Sequence, residues 1–174
     1  MISSDEIRTL ITALGTGIGR EDFNLEKATC LWIALEEVKG GRLREFDNLL
    51  KDEISSSVTL LEKWDTPSRV ASKAGYEGCF QGFVTELARI WLLRLSAQEL
   101  QEVQILGCGP TDMLKATTSL AKDFNLPCQL ALEEYMACGV GGCAGCTVLL
   151  HTPQGPTMKR VCVDGPVFDA YQVY

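Results

Sequence analysis

The sequence has no excess of positive charge, and this absence limits what the protein can bind. Its 174 residues include 16 Lys and Arg against 23 Asp and Glu, which gives a formal net charge of −7. An acidic chain without a basic stripe repels a phosphate backbone. We therefore expect no nucleic-acid partner.

Long apolar runs and an N-terminal signal are also lacking. Charges interrupt the apolar stretches well before the length of a membrane span, and the first residues, MISSDE, have neither the basic nor the apolar region of a signal peptide. We expect a cytoplasmic protein with no membrane partner. Because cytoplasmic thiols are kept reduced, the eight cysteines are not expected to form a disulfide framework.

Histidine is almost absent as well. The single histidine, His151, lies in a turn bounded by proline and glycine, so we interpret it as a surface residue and not as a ligand or a base.

The middle of the chain alternates strand-like and helix-like patterns. Apolar runs predict strands at 30–35, 57–61, 103–106 and 128–132, and helical spacing predicts helices around 43–50, 83–91 and 112–124. Strands that alternate with helices of this length imply βαβ units. The predicted fold class is α/β, with a parallel-sheet, nucleotide-binding-like domain.

The composition changes along the chain and suggests three parts. Residues 1–29 form an N-terminal helical segment, in which 15–19 (GTGIG) fits a helix stop better than a phosphate loop because no strand precedes it. Residues 30–132 form a truncated NAD-binding-like α/β domain. Residues 133–174, rich in glycine, cysteine and proline, form a small cluster domain with little regular structure, in which only the short runs 147–150 and 159–163 favour strands.

Four thiols in the last part have a diagnostic spacing. Cys138, Cys143 and Cys146 follow the pattern C-x4-C-x2-C, and Cys162 lies further along the chain, which is the plant-type arrangement of ligands for a 2Fe-2S cluster. The intervening glycines allow the backbone to curl and to point its N–H groups at the sulfurs. A four-cysteine zinc site, which usually takes two short-spaced pairs, and buried free cysteines are the alternatives.

A second motif lies where a predicted strand meets a helix. Gly107, Cys108, Gly109, Pro110 and Thr111 occupy the carboxyl end of that strand, which is where open parallel sheets bind their ligands. Thr111 can cap the next helix, whose N-terminus would favour a nucleotide phosphate. A simple turn before a helix explains the same residues equally well.

The chain resembles a known family over about residues 78–168. The segments GFVTELA, LGCGPTDMLKA, LEEYMACGVGGCAGCTV and VCVDGPVF resemble the electron-transfer (iron-sulfur) subunit of type B dihydroorotate dehydrogenase, in the ferredoxin-NADP reductase superfamily. The resemblance implies a 2Fe-2S cluster, FAD and NAD as cofactors, and Cys138, Cys143, Cys146 and Cys162 as cluster ligands. It also places Cys108, Gly109 and Pro110 at the nicotinamide side of a dinucleotide site.

The same resemblance implies a function and a partner. Members relay electrons between NADH and the FMN of a catalytic flavoprotein subunit that oxidises dihydroorotate to orotate in pyrimidine biosynthesis. We therefore expect an oxidoreductase subunit that works in a hetero-oligomer and is not active alone. A non-catalytic cluster module, or a zinc-stabilised interaction module, is the alternative function.

The N-terminal segment resembles a different protein. Residues 2–28 are similar to a stretch of the bacterial DNA gyrase B subunit, but the paired aspartates expected after it are replaced by TCLWIALEEVKGG. Topoisomerase activity is therefore not expected.

Overall fold

A computed structural model describes the backbone of residues 30–35 and the full structure of residues 54–58, 68–74 and 76–174. In chain order the described elements are β1 (Cys30–Leu35), α1 (Val84–Leu93), α2 (Ala97–Leu100), β2 (Val103–Cys108), α3 (Thr111–Phe124), β3 (Cys128–Ala131), β4 (Thr147–Thr152), β5 (Gly155–Arg160), α4 (Val161–Asp164), β6 (Val167–Asp169) and α5 (Ala170–Val173). Among these residues no helix is both long enough and apolar enough to span a membrane.

The strands form two sheets. One sheet has the order β1-β2-β3-β6, and β6 pairs with β3 in an antiparallel register that aligns Leu130 with Phe168. The other sheet is the antiparallel hairpin of β4 and β5, in which Thr147 lies opposite Arg160 and Thr152 lies opposite Gly155. The turn of this hairpin is therefore only Pro153 and Gln154, which fixes its register.

The chain divides into two compact units. The first unit, in its described part, contains 30–32, 106–118 and 128–174. Its core includes the fully buried Leu130 and Val161. Gly107 lets α3 approach the sheet closely, because a Cβ atom there would lie 2.8 Å from Leu130 Cδ2 and 3.2 Å from Thr117 Cγ2.

The second unit contains the remaining described residues, including α1 and 119–127. The buried Ile54 and Leu87 form one of its clusters, against which Ala71, Phe80, Ile90 and Trp91 pack. Helix α1 begins after Phe83, whose N–H donates to Glu86 Oε2 at 2.7 Å. The carboxylate thus accepts from a group that the helix leaves unpaired.

The α/β fold class is confirmed for the described elements. The strand at 30–35, the helices over 84–93 and 111–124 and the strands starting at 103 and 128 lie where the sequence predicts them. Residues 43–50 lie outside the described residues. The predicted strand at 57–61 is described only at Ser57 and Val58, which have no regular structure.

The prediction of little regular structure after 133 was wrong for residues 147–174. These residues form β4, β5, α4, β6 and α5, whereas 133–146 have no helix or strand. The tight turn at Pro153 and Gln154 lets the segments on either side pair as a hairpin, and the run 147–150 lies in β4 as expected. The run at 159–163, expected to be a strand, ends as one at Arg160 and continues as the helical turn α4.

Candidate functional site

The β4–β5 hairpin brings the distant cysteine to the other three. Cys146 directly precedes β4, and Cys162 lies in α4, two residues after the end of β5. The Val161 N–H donates to the Cys146 carbonyl oxygen at 3.0 Å, which continues the ladder of the hairpin by one step. Sixteen residues of separation are therefore closed by strand pairing.

The four sulfurs are arranged as two pairs. In the first pair the Cys143 N–H donates to Cys138 Sγ at 3.4 Å, and the two side chains are also hydrogen-bonded. In the second pair the Cys162 N–H donates to Cys146 Sγ at 3.4 Å, and those side chains are likewise hydrogen-bonded. The pairs are neighbours, because Cys138 also acts electrostatically on the Cys162 thiol.

Backbone N–H groups converge on these sulfurs. Cys138 Sγ accepts from the N–H groups of Val140, Cys143 and Gly142, and these bonds lower the pKa of the Cys138 thiol to about 6. The Gly145 N–H donates to Cys143 Sγ at 3.4 Å. Such donors stabilise sulfur in its negatively charged form.

In the second pair the pKa values of the two thiols shift in opposite directions. The N–H and the thiol of Cys162 hydrogen-bond to the Cys146 sulfur and lower the pKa of Cys146. The same hydrogen bond between the thiols raises the pKa of Cys162, and burial adds to this effect.

The curl of the loop uses three residues with positive φ. Gly139 has φ 67°, Gly141 has φ 78° and Ala144 has φ 57°. Gly141 needs to be glycine on steric grounds too, since a Cβ atom there would lie 2.6 Å from Val163 Cγ2. A Cβ atom at Gly142 would lie in open space, so steric contact does not require glycine at this position, contrary to what the sequence pattern suggests.

The site has an open side and a closed side. Cys138 and Cys143 are exposed, Cys162 is half-buried and Cys146 is buried. Large apolar side chains of the same region are exposed too, including Tyr135 at 91% and Val140 at 79%. Within the described ranges, no three His, Cys, Asp or Glu side chains surround one point as the ligands of a single ion do.

Sequence reasoning missed Arg160 and Asp164. Arg160 Nη1 donates to the Gly141 carbonyl oxygen at 2.9 Å, while Asp164 Oδ2 accepts from the Arg160 N–H at 2.8 Å and from Arg160 Nε at 3.5 Å. An arginine two residues before Cys162 has no distinctive spacing. Only the fold shows that it reaches the loop.

The second motif lies at the end of β2, in the same compact unit as the cysteines. Cys108 ends the strand, Gly109 has φ 153°, and Thr111 is the first residue of α3. The Leu114 N–H donates to the Pro110 carbonyl oxygen at 3.0 Å, so Pro110 and not Thr111 occupies the N-cap position. Gly107 serves packing. His151 is exposed as predicted, but it lies in β4 and not in a turn, because the turn of the hairpin is only Pro153 and Gln154.

Comparison with protein families identifies the cysteine-rich part. Residues 133–174 match the family described as the iron-sulfur cluster binding domain of dihydroorotate dehydrogenase B. Among solved structures, the chain is similar to an NADH-dependent reduced ferredoxin-NADP oxidoreductase studied for flavin-based electron bifurcation. The TM-score is 0.52 and the identity 26%, over 67% of this chain and 38% of that one.

Curated relatives extend the match to nearly the whole chain. The dihydroorotate dehydrogenase B (NAD(+)) electron transfer subunit of Clostridium perfringens is 32% identical over 191 aligned residues, covering 99% of this chain and 68% of the relative. The subunit of the same name from Caldanaerobacter subterraneus is 51% identical over 73 residues, covering 41% of this chain and 30% of the relative.

This chain covers about a third of the length of other relatives, such as the subunit of the same name from Shouchella clausii. The comparisons do not support the gyrase likeness of residues 2–28, which lie outside the described residues. On the strength of its match to the C. perfringens protein, the chain belongs to the family of dihydroorotate dehydrogenase B electron transfer subunits.

Proposed function

We propose that this chain relays electrons between NAD(H), or a flavin, and a flavoprotein partner through a 2Fe-2S cluster, as in the oxidation of dihydroorotate to orotate in pyrimidine biosynthesis. The observation that carries the proposal is the pairing of the four sulfurs, Cys138 with Cys143 and Cys146 with Cys162. The family of the chain points to the same function.

The four cysteines fit such a cluster in number and arrangement. A 2Fe-2S cluster takes four thiolates, two on each iron, and two neighbouring sulfur pairs provide this set. The N–H groups of Val140, Gly142 and Cys143 on Cys138 Sγ would offset the negative charge of the bound cluster. When bound, the cluster supplies a centre that gains and loses single electrons.

The exposed side of the site suits a partner. Cys138 and Cys143 are the exposed ligands, and exposed apolar side chains such as Tyr135 and Met136 precede them in the loop. Aromatic residues and methionine are enriched in protein interfaces. We place the catalytic flavoprotein subunit against this side, so that the chain works as part of a hetero-oligomer.

The second motif is the proposed nucleotide site. The end of β2 and the start of α3 present Cys108, Gly109, Pro110 and Thr111 at a strand–helix junction, and the helix N-terminus favours a phosphate. We assign NAD to this site, and we propose that the same protein binds FAD. We also propose that the chain consists of three parts, 1–29, 30–132 and 133–174, and that the protein is cytoplasmic.

The test is activity of the reconstituted complex. The chain, loaded anaerobically with iron and sulfide, is mixed with a dihydroorotate-oxidising flavoprotein subunit and FAD, and dihydroorotate-dependent reduction of NAD⁺ is measured. We expect activity with the wild type and with Cys79→Ser, whose cysteine lies outside the loop, and loss of more than 90% with Cys138→Ser. Equal rates with and without the chain would refute the proposal.

A further inference from the structure

Arg160 contacts the cluster loop at the point where the two sulfur pairs meet. Its Nη1 donates to the Gly141 carbonyl oxygen at 2.9 Å. The Gly141 N–H donates to Cys162 Sγ, which belongs to one pair, and the Gly142 N–H donates to Cys138 Sγ, which belongs to the other. The turn at 141–142 therefore serves both pairs at once.

The Gly141–Gly142 peptide links the guanidinium to a sulfur. The carbonyl oxygen of this peptide accepts from Arg160, and its N–H donates to Cys138 Sγ. A charged donor on the oxygen of an amide polarises that amide and strengthens the hydrogen bond that its N–H makes. The positive charge of Arg160 thus acts on the sulfur through one peptide unit as well as through space.

The guanidinium is itself held in position. Asp164 Oδ2 accepts from Arg160 Nε at 3.5 Å and from the Arg160 N–H at 2.8 Å. Arg160 also ends β5 opposite Thr147, so its backbone belongs to the hairpin that carries Cys146 and Cys162. One residue therefore ties the loop to the hairpin.

We propose that Arg160 is a positioning residue that sets the reduction potential of the cluster by fixing and polarising the Gly141–Gly142 peptide. This inference rests on the proposed function, because it concerns the same cluster. Weaker N–H donation and loss of the positive charge both disfavour the reduced, more negative cluster. Loss of Arg160 therefore lowers the potential.

The experiment compares Arg160→Met with Lys159→Met. Both variants remove one positive charge from adjacent residues, but Lys159 Nζ lies 3.9 Å from Asp164 Oδ1, whereas Arg160 bonds the loop. The potential of the reconstituted chain is measured by dye-mediated titration. The electron paramagnetic resonance spectrum of the reduced cluster, the iron content and thermal unfolding are recorded alongside.

We expect the equilibrium constant for reduction to fall at least tenfold more in Arg160→Met than in Lys159→Met, which corresponds to about 59 mV for one electron. We also expect changed g-values in the first variant only. Arg160→Lys, which keeps the charge but lacks the two-armed guanidinium, is expected to lie between Arg160→Met and the wild type.

Equal shifts in the two methionine variants overturn the inference and leave the proposed function intact. If Arg160→Met retains no iron, the reduction potential of Arg160→Lys decides instead. An equilibrium constant for reduction of Arg160→Lys at least threefold below that of the wild type supports the inference, and a smaller change overturns it. A wild-type chain that takes up no cluster refutes both the inference and the proposed function.

Discussion

Gly141 is the residue on which the geometry of the cysteine loop depends most. Its backbone has φ 78°, and Val163 occupies the space that a Cβ atom at this position would need. The N–H groups of its two neighbours, Val140 and Gly142, both donate to Cys138 Sγ. Gly142, one residue later, lies outside the positive-φ set and has free space around it. Two adjacent glycines thus have unequal roles, which the sequence alone does not reveal.

This difference predicts the effects of two substitutions. Gly141→Ala forces a Cβ atom to within 2.6 Å of Val163 Cγ2 at positive φ, and we expect a cost of about 1–3 kcal/mol together with faster loss of iron. Gly142→Ala is the matched control and should retain iron like the wild type. Iron release to a chelator and thermal unfolding measure both effects. Equal damage from the two variants would contradict this assignment.

At the scale of elements, the β4–β5 hairpin is the support of the site. Its ladder ends where Cys146 and Val161 face each other, so the hairpin and not the loop brings Cys162 to the other cysteines. One side of the hairpin is buried through Leu150 at 4% exposure, while the adjacent Leu149 is 45% exposed. The stability of the site should therefore depend on the buried side.

Two leucine substitutions test this dependence. Leu150→Ala removes buried side-chain atoms and should lower the free energy of unfolding by about 3 kcal/mol. It should also speed iron release, because the hairpin positions Cys162. Leu149→Ala, the same change at the exposed neighbour, should cost less than about 1 kcal/mol. Urea unfolding of both variants gives the comparison, and similar costs would show that the hairpin face is assigned wrongly.

Cys128 on β3 predicts a pH effect that is independent of the cluster. Burial, with a contribution from Asp169, raises the pKa of this thiol from an ordinary value of 9.0 to about 12. Because the folded state keeps the thiol neutral, its contribution to stability is complete below pH 9 and is lost as the pH rises from 9 towards 12.

The measurement is urea unfolding of the wild type and Cys128→Ala at pH 8 and pH 10.5. The stability of the wild type relative to the variant should fall by about 1.4 kcal/mol for each pH unit above 9. Titrating groups that do not interact with Cys128 cancel in the difference. A difference that stays constant between the two pH values would contradict the raised pKa.

At the scale of the whole molecule, the sequence predicts some levels of structure and not others. Apolar periodicity locates α1, α3, β2 and β3, because each buries one face and the pattern records it. Cysteine spacing indicates the same four thiols that form two pairs in the structure, because the C-x4-C-x2-C pattern is specific. That they bind one cluster stays a prediction.

Other features depend on tertiary contacts that no local pattern encodes. The pairing of β6 with β3 joins residues from the cysteine-rich part to the main sheet, and short strands such as 167–169 carry little periodic signal. The contact between Arg160 and Gly141 joins residues 19 apart and requires the hairpin to exist first. The N-cap position of Pro110 likewise follows from the actual start of α3.

The proposed relay predicts a dependence on flavin. NADH gives up a hydride, whereas an iron-sulfur centre accepts single electrons, so a flavin must divide the electron pair. With the reconstituted, flavin-free chain we expect dithionite, but not NADH, to bleach the visible absorption. Adding FAD should make NADH effective. Bleaching by NADH without any flavin would contradict this order of transfer.

The claim that Cys138, Cys143, Cys146 and Cys162 together hold a 2Fe-2S cluster is tested by the metal and sulfide content of the anaerobically purified or reconstituted chain. We predict about two iron atoms and two acid-labile sulfides per chain, with a visible absorption that dithionite bleaches. A colourless protein with stoichiometric zinc and no labile sulfide would contradict the claim.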